Sequence, residues 1–273
     1  LDIELELLSE RCEYLLTLGR HEKLRKSIRS LKEYNNWPGF IFEVNLAHQF
    51  EISGVIVRRD IEKLSGSNSN IDLVISNDFG YCANLELVSV QEPNGFTNRI
   101  LARGSEGLMW GRHKQIDFLR RLQDKVCLKT TKNGLPHKFP SPKDGEYNLI
   151  AIEATNSLGI KPDRWDIILA AFGMEYVVPQ FQLEILGLFE DWTQISGDLE
   201  PQYHQNKYVK ERIHGILFLI DKDSHHNLVN KHYDCYFVKN PLLDINESEM
   251  KDIFNLSILG PLIQSNVSVL KVA

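Results

Sequence analysis

Three acids stand where a divalent cation could be held: Glu43, Asp72 and Glu86. Glu43 lies in FIFEVNLAHQFE, where Leu46, Ala47 and Phe50 follow it at helical spacing and share its face. A carboxylate on an apolar helix face is costly without a partner. Asp72 lies in the β-rich run NIDLVIS and Glu86 in YCANLELVSVQ. Side chains alternate along a strand, so Glu86 sides with Asn84, Val88 and Val90. Carboxylates that converge repel one another unless a cation sits among them. An all-oxygen nest suits magnesium or manganese. The chemistry expected there is phosphodiester hydrolysis, with the metal lowering the pKa of water and clamping the phosphate.

The elements that must position these acids are legible in the pattern. The run FIFEVNLAHQFE predicts a helix, and Gly54 to Arg59 a first strand. Asn77, Asp78 and Gly80 predict a hairpin turn, which sets the Asp72 and Glu86 strands side by side and antiparallel. Glu106 to Lys129 predicts a long helix with Leu108, Ile116, Leu119, Leu122 and Val126 on one face. Arg112 and Gln115 fall on that face, and the surrounding stretch is the most cationic in the chain. Lys129 to Gly145 reads as an exposed loop, and Tyr147 to Asn156 as a buried central strand. Within that strand the lone Glu153 reads as a strand-end or edge residue. His214 to Asp221 and Tyr233 to Asn240 predict further strands, and Asn246 with Glu249 a capping box.

Before the Glu43 helix, residues 1–37 read as a helical appendage to an α/β domain over 38–273. Leu5, Leu7, Leu8, Cys12, Leu15 and Leu16 make a broad apolar stripe, Gly19 breaks it, and Lys23, Arg25, Lys26, Arg29 and Lys32 form a cationic helix face. That face reads first as a solvated surface and second as a phosphate-backbone contact.

Composition excludes several classes. The 273 residues carry 42% hydrophobic and 25% charged side chains, ordinary for a globular protein. No apolar run reaches the roughly 20 residues of a membrane helix, and no basic-then-apolar leader is present. The four cysteines form no CxxC pair, which suits a reducing, cytoplasmic setting. No GxSxG elbow, HExxH pair or phosphate-binding glycine loop occurs. The cluster Asp221, Asp223, His225, His226, His232 and Asp234 has zinc-ligand chemistry but lies where a polar inter-strand loop is expected.

In this order, a Glu-bearing helix, a Gly-bounded strand, an Asp strand and a Glu strand followed by a helix resemble the PD-(D/E)XK, or restriction-endonuclease-like, nucleases. The resemblance implies a mixed central sheet flanked by helices, with Asp72 and Glu86 as ligands of Mg2+ or Mn2+. It implies that Glu43 orients water or a second metal. It also implies a basic-x-x-Gln pair on the following helix, here Arg112 and Gln115, touching phosphate. Two positions depart from the family pattern: Ile71 stands where Pro is frequent, and Val88 where the family carries its Lys. An apolar side chain cannot steady phosphate charge, so either a cation comes from another element, Arg112 first and Lys114 second, or the site no longer cuts. The expected partner is nucleic acid, DNA first, with a homodimer or a larger complex as the assembly. The rival expectations are a non-cleaving nucleic-acid-binding module and a protein-interaction module; the net charge of −6 keeps the latter in play.

Overall fold

The computed structural model describes residues 2–30, 37–63, 69–76, 80–90, 107–154, 162–178, 181–185, 187–190, 206–221, 229, 231, 233–246, 248–249 and 268–270. Helices α1 (Asp2–Thr17), α2 (Lys23–Ser30) and α3 (Trp37–Ile52) come first. They lead into strands β1 (Ile56–Ile61), β2 (Ile71–Ser76) and β3 (Cys82–Val90). Helix α4 (Gly107–Thr130) is followed by a small hairpin, β4 (Thr131–Lys132) and β5 (Leu135–Pro136), then by β6 (Glu146–Ala154) and α5 (Arg164–Phe172). A second hairpin, β7 (Met174–Val178) and β8 (Phe181–Ile185), precedes α6 (Lys207–Arg212). Strands β9 (Gly215–Asp221), β10 (Tyr233–Lys239) and β11 (Ser268–Leu270) complete the described elements.

One mixed sheet organises them, in the order β1-β2-β3-β6-β9-β10-β11. The first three strands are antiparallel neighbours, whereas β3, β6 and β9 run parallel. Parallel neighbours need long crossovers, and α4 lies within the connection from β3 to β6. Two cores lie on the two faces. Phe42 and Phe50 of α3 and Leu8 and Leu15 of α1 pack with Leu73, Leu85 and Leu149. On the other face Phe118, Leu122 and Val126 of α4 and Ile167 of α5 pack with Val88, Ile150 and Ile152. The central strand β6 is therefore buried along almost its whole length, as its continuous apolar run predicts.

Helix α3 is buried on more than one face, because α1 covers the side that the sheet does not. Polar ties fix this stack. Arg11 Nη1 donates to Asn45 Oδ1 at 2.6 Å and to the Val229 carbonyl at 3.0 Å. At the far end of α3 the buried Glu51 accepts from Arg20 Nε at 2.8 Å and from the Val57 amide at 3.1 Å, and pairs with His21 at 2.8 Å. The first 37 residues thus contribute Leu8 and Leu15 to the same core as α3.

His48 of α3 stacks edge-on against Tyr14 of α1, with centroids 5.1 Å apart. Burial, and then the nearby Arg11 charge, push its pKa down from 6.5 to about 4. The folded state thus holds His48 neutral while the unfolded chain takes up the proton. The resulting stability is fully present above 6.5 and is lost as pH falls toward 4. Chemical denaturation should show a falling midpoint between about pH 7 and about pH 5. In His48→Phe that slope should be shallower; an unchanged slope would assign the acid sensitivity to other groups.

Glu153 stands one residue from the end of β6, as a strand-end reading expects, yet it lies on a central strand and is 1% exposed. Its carboxylate accepts from Lys231 Nζ at 2.7 Å, Tyr233 Oη at 2.5 Å and Ser89 Oγ at 3.1 Å. A continuous apolar strand can carry an acid internally when neighbouring elements supply the donors.

Asn246 does accept from the Ser248 and Glu249 amides, as a capping residue should. The turn residues Asn77 and Asp78 lie outside the described residues, as do Asp223, His225, His226 and His232. All four cysteines are free. Among the described residues no helix is long and apolar enough to cross a membrane.

Candidate functional site

The hairpin of β2 and β3 brings Asp72 and Glu86 together. The register pairs Leu73 with Leu85, so the next residues outward are Asp72 and Glu86. There the side chains take over from the backbone ladder. The Asp72 amide donates to Glu86 Oε1 at 3.0 Å, and the Leu87 amide donates to Asp72 Oδ2 at 2.9 Å. These bonds fix both carboxylates beside one another. Glu86 is fully buried, while the Asp72 side chain keeps 26% of its surface exposed. One acid thus forms the floor of the site and the other its rim.

Two lysines complete the cluster. Lys129, in the last turn of α4, reaches Glu86 Oε2 at 2.8 Å and Asp72 Oδ2 at 3.2 Å. Lys138, just past the β4–β5 hairpin, reaches Glu86 Oε2 at 2.6 Å and Asp72 Oδ1 at 3.6 Å. Helix α4 is held against β3 one turn earlier as well, where Lys125 Nζ donates to the Ser89 carbonyl at 2.5 Å. Two negative and two positive charges therefore share a mostly enclosed space.

The environment divides the roles of these groups. Burial, then the charge of Asp72, raise the Glu86 pKa to about 7, against the pull of Lys129 and Lys138. For Asp72 burial acts upward too, but the two ammonium groups and the Leu87 amide outweigh it and hold the carboxyl below its usual range. Burial would lower Lys129, yet Asp72 and Glu86 raise it well above an ordinary lysine. Lys129 is thus a fixed ammonium at neutral pH. It supplies charge and hydrogen bonds and cannot take a proton from water.

Glu43 is engaged elsewhere in α3: its Oε1 accepts from Arg59 Nε at 2.9 Å and also from Arg59 Nη2. Arg59 sits opposite Leu73 in the β1–β2 register, one residue along from Asp72. Among the described residues no group of three or more His, Cys, Asp or Glu side chains is placed to hold a metal ion. Arg112 and Gln115 fall within α4, but their side chains lie outside the described residues, as does that of Lys114. Val88 is 3% exposed and packs in the α4-side core, so its position offers only apolar surface.

The helical pattern points to Arg112 and Lys114 for the missing cation, whereas Lys129 and Lys138 are the two that reach the carboxylates. Lys129 does carry a signal. At about 100° per residue it lies roughly 20° from Leu122 around the helix, a cation on the apolar stripe. For Lys138 no periodic signal exists, because its place depends on a turn. The Phe139 amide donates to the His137 carbonyl at 2.7 Å, closing a γ-turn around Lys138 at φ 63. The segment read as an exposed loop is anchored: Phe139 is fully buried, and Arg212 Nη1 donates to its carbonyl at 2.5 Å.

Comparison with known proteins finds no matching family model, no matching curated protein and no matching solved structure. The function therefore rests on the chain's own chemistry.

Proposed function

We propose that this protein is a metal-dependent nuclease of the restriction-endonuclease-like class, hydrolysing phosphodiester bonds in DNA. One observation carries the reading: Asp72 and Glu86 lie side by side on adjacent strands, with Lys129 Nζ within 3.2 Å of both. The chain order α3, β1, β2, β3, α4 is the order that the sequence resemblance implies. The Lys that this resemblance lacks at Val88 has a counterpart in Lys129, delivered from the helix instead of the strand.

The residues fit a magnesium or manganese ion. Both carboxylates offer hard oxygens, and the ammonium groups on them mark a place where positive charge is stabilised. Asp72 and Glu86 would hold the ion. Magnesium is commonly held by one or two carboxylates, with water and phosphate oxygens filling its shell. When bound, such an ion lowers the pKa of water and neutralises phosphate charge. Lys129 stabilises the negative charge that builds on the phosphate. Glu43, which pairs with Arg59, is given no part in holding the ion, and Arg112 and Gln115 would extend the phosphate contacts along α4.

The test is direct. Supercoiled plasmid should be nicked in magnesium or manganese and left intact in EDTA. A second reading, a module that binds DNA without cutting it, draws on the same ion pairs, since the four groups already neutralise one another. Salt-sensitive binding with intact plasmid at high protein concentration would select it. Absence of salt-sensitive binding would remove both readings and leave a protein-interaction role.

A further inference from the structure

The two lysines use the carboxylate pair differently, and the difference has a consequence for metal loading. Both ammonium groups contact Glu86 Oε2, at 2.8 Å from Lys129 and 2.6 Å from Lys138. They divide the two oxygens of Asp72 between them. Glu86 Oε1 accepts one donor, the Asp72 amide. A carboxylate has about four lone-pair positions, so Oε1 keeps one open while both on Oε2 are taken, and an ion that draws on Oε2 would compete with an ammonium.

Geometry selects which lysine gives way. Lys129 lies within 3.2 Å of both carboxylates and is rooted in a 24-residue helix. Lys138 has one contact at hydrogen-bond distance and a second at only 3.6 Å. Its backbone is held on both sides, by the His137 amide to the Thr130 carbonyl at 2.8 Å and by Asn148 Nδ2 to the Pro140 carbonyl at 2.9 Å. Between these anchors Lys138 has a left-handed φ of 63, a conformation that disfavours any residue but glycine. The root is fixed, so release of the carboxylates would need only the four-carbon stem to move. Once off the carboxylates, the ammonium remains tethered beside the site, where a phosphate would attract it.

We propose that Lys138 is a tethered competitor for the divalent ion, so that metal and phosphodiester load together. The inference rests on the nuclease reading and deepens it. In the free protein the Lys138 ammonium guards the carboxylate pair. A phosphate draws it away and opens the pair to the ion, and the coupling between the two ligands is then reciprocal.

Manganese binding to the full chain, followed by electron paramagnetic resonance, tests this without relying on cleavage. Lys138→Gln should bind manganese about tenfold more tightly than the natural protein. Lys138→Arg, which keeps the charge, should stay close to it. Lys138→Gly removes the ammonium while relieving the left-handed backbone, so it should fold at least as well and also bind more tightly. A short DNA duplex should tighten manganese binding to the natural protein and change Lys138→Gln little, with Asp72→Ala plus duplex as the blank for ions held by DNA. Equal or weaker manganese binding by folded Lys138→Gln and Lys138→Gly would overturn the role of Lys138 and leave the nuclease reading standing. If the natural protein binds no more manganese than Asp72→Ala, with or without duplex, both fall together.

Discussion

Asp72→Ala should lose metal-dependent nicking, with the rate falling on the order of 10³-fold. The choice of residue matters. Removing Glu86 would open a hole beneath two ammonium groups at a fully buried position, so lost activity and lost folding would be confounded. Asp72 is at the rim, and its removal leaves Glu86 still paired with Lys129 and Lys138. The structural cost is the acceptor for the Leu87 amide, about 1 kcal/mol, together with one of the two carboxylates facing Lys129 and Lys138. A native circular dichroism spectrum with a modestly lowered melting point should therefore accompany the lost activity. Lys129→Met should cost on the order of 10²-fold. Lys129→Arg should retain part of the activity, because it keeps the charge but not the point geometry of an ammonium. Full nicking by folded Asp72→Ala would remove the carboxylate pair from the chemistry and place the activity elsewhere.

The largest effect on stability is expected at a cluster remote in chemistry from this site. Lys231→Met should destabilise the protein by about 3 kcal/mol, seen as a lower denaturant midpoint at unchanged slope. The side chains of Glu153 and Lys231 keep only 2% and 10% of their surface. Water cannot replace the lost ammonium there. Tyr233 and Ser89 still donate to the carboxylate, which limits the loss without cancelling the uncompensated charge. The double variant Lys231→Met with Glu153→Leu should recover most of the stability, because a buried ion pair is roughly exchangeable for apolar groups of similar volume. A single variant within about 0.5 kcal/mol of the natural protein would mean that Glu153 does not depend on its cation.

The two clusters show where local pattern suffices and where it does not. Alternation placed Asn84, Glu86, Val88 and Val90 on one face of β3, and all four are buried. The turn signal around Gly80 joined two strands close in sequence, and Asp72 and Glu86 meet across them. The long helix appears as α4 (Gly107–Thr130), and its stripe of Leu119, Leu122 and Val126 is buried. The mixed α/β architecture with helices on the sheet follows from the same periodicities. In each case a few neighbouring residues carry the information, because backbone geometry repeats every two residues in a strand and every 3.6 in a helix.

What surrounds the acids was decided otherwise. Lys129 and Lys138 come from 43 and 52 residues beyond Glu86, and Lys231 from 78 residues beyond Glu153. Their arrival depends on which strands become neighbours, where the crossover carrying α4 returns, and how one γ-turn aims a side chain. None of these leaves a periodic trace in the chain. The sequence by itself determined most strands of the main sheet, the helices on it and the pairing of two carboxylates, because those follow from contacts a few residues apart, whereas the short hairpins β4–β5 and β7–β8 left no such mark. Only the tertiary structure decided which cations reach them and that Glu43 turns to Arg59, because an ion pair is selected by proximity in space after the sheet order is set.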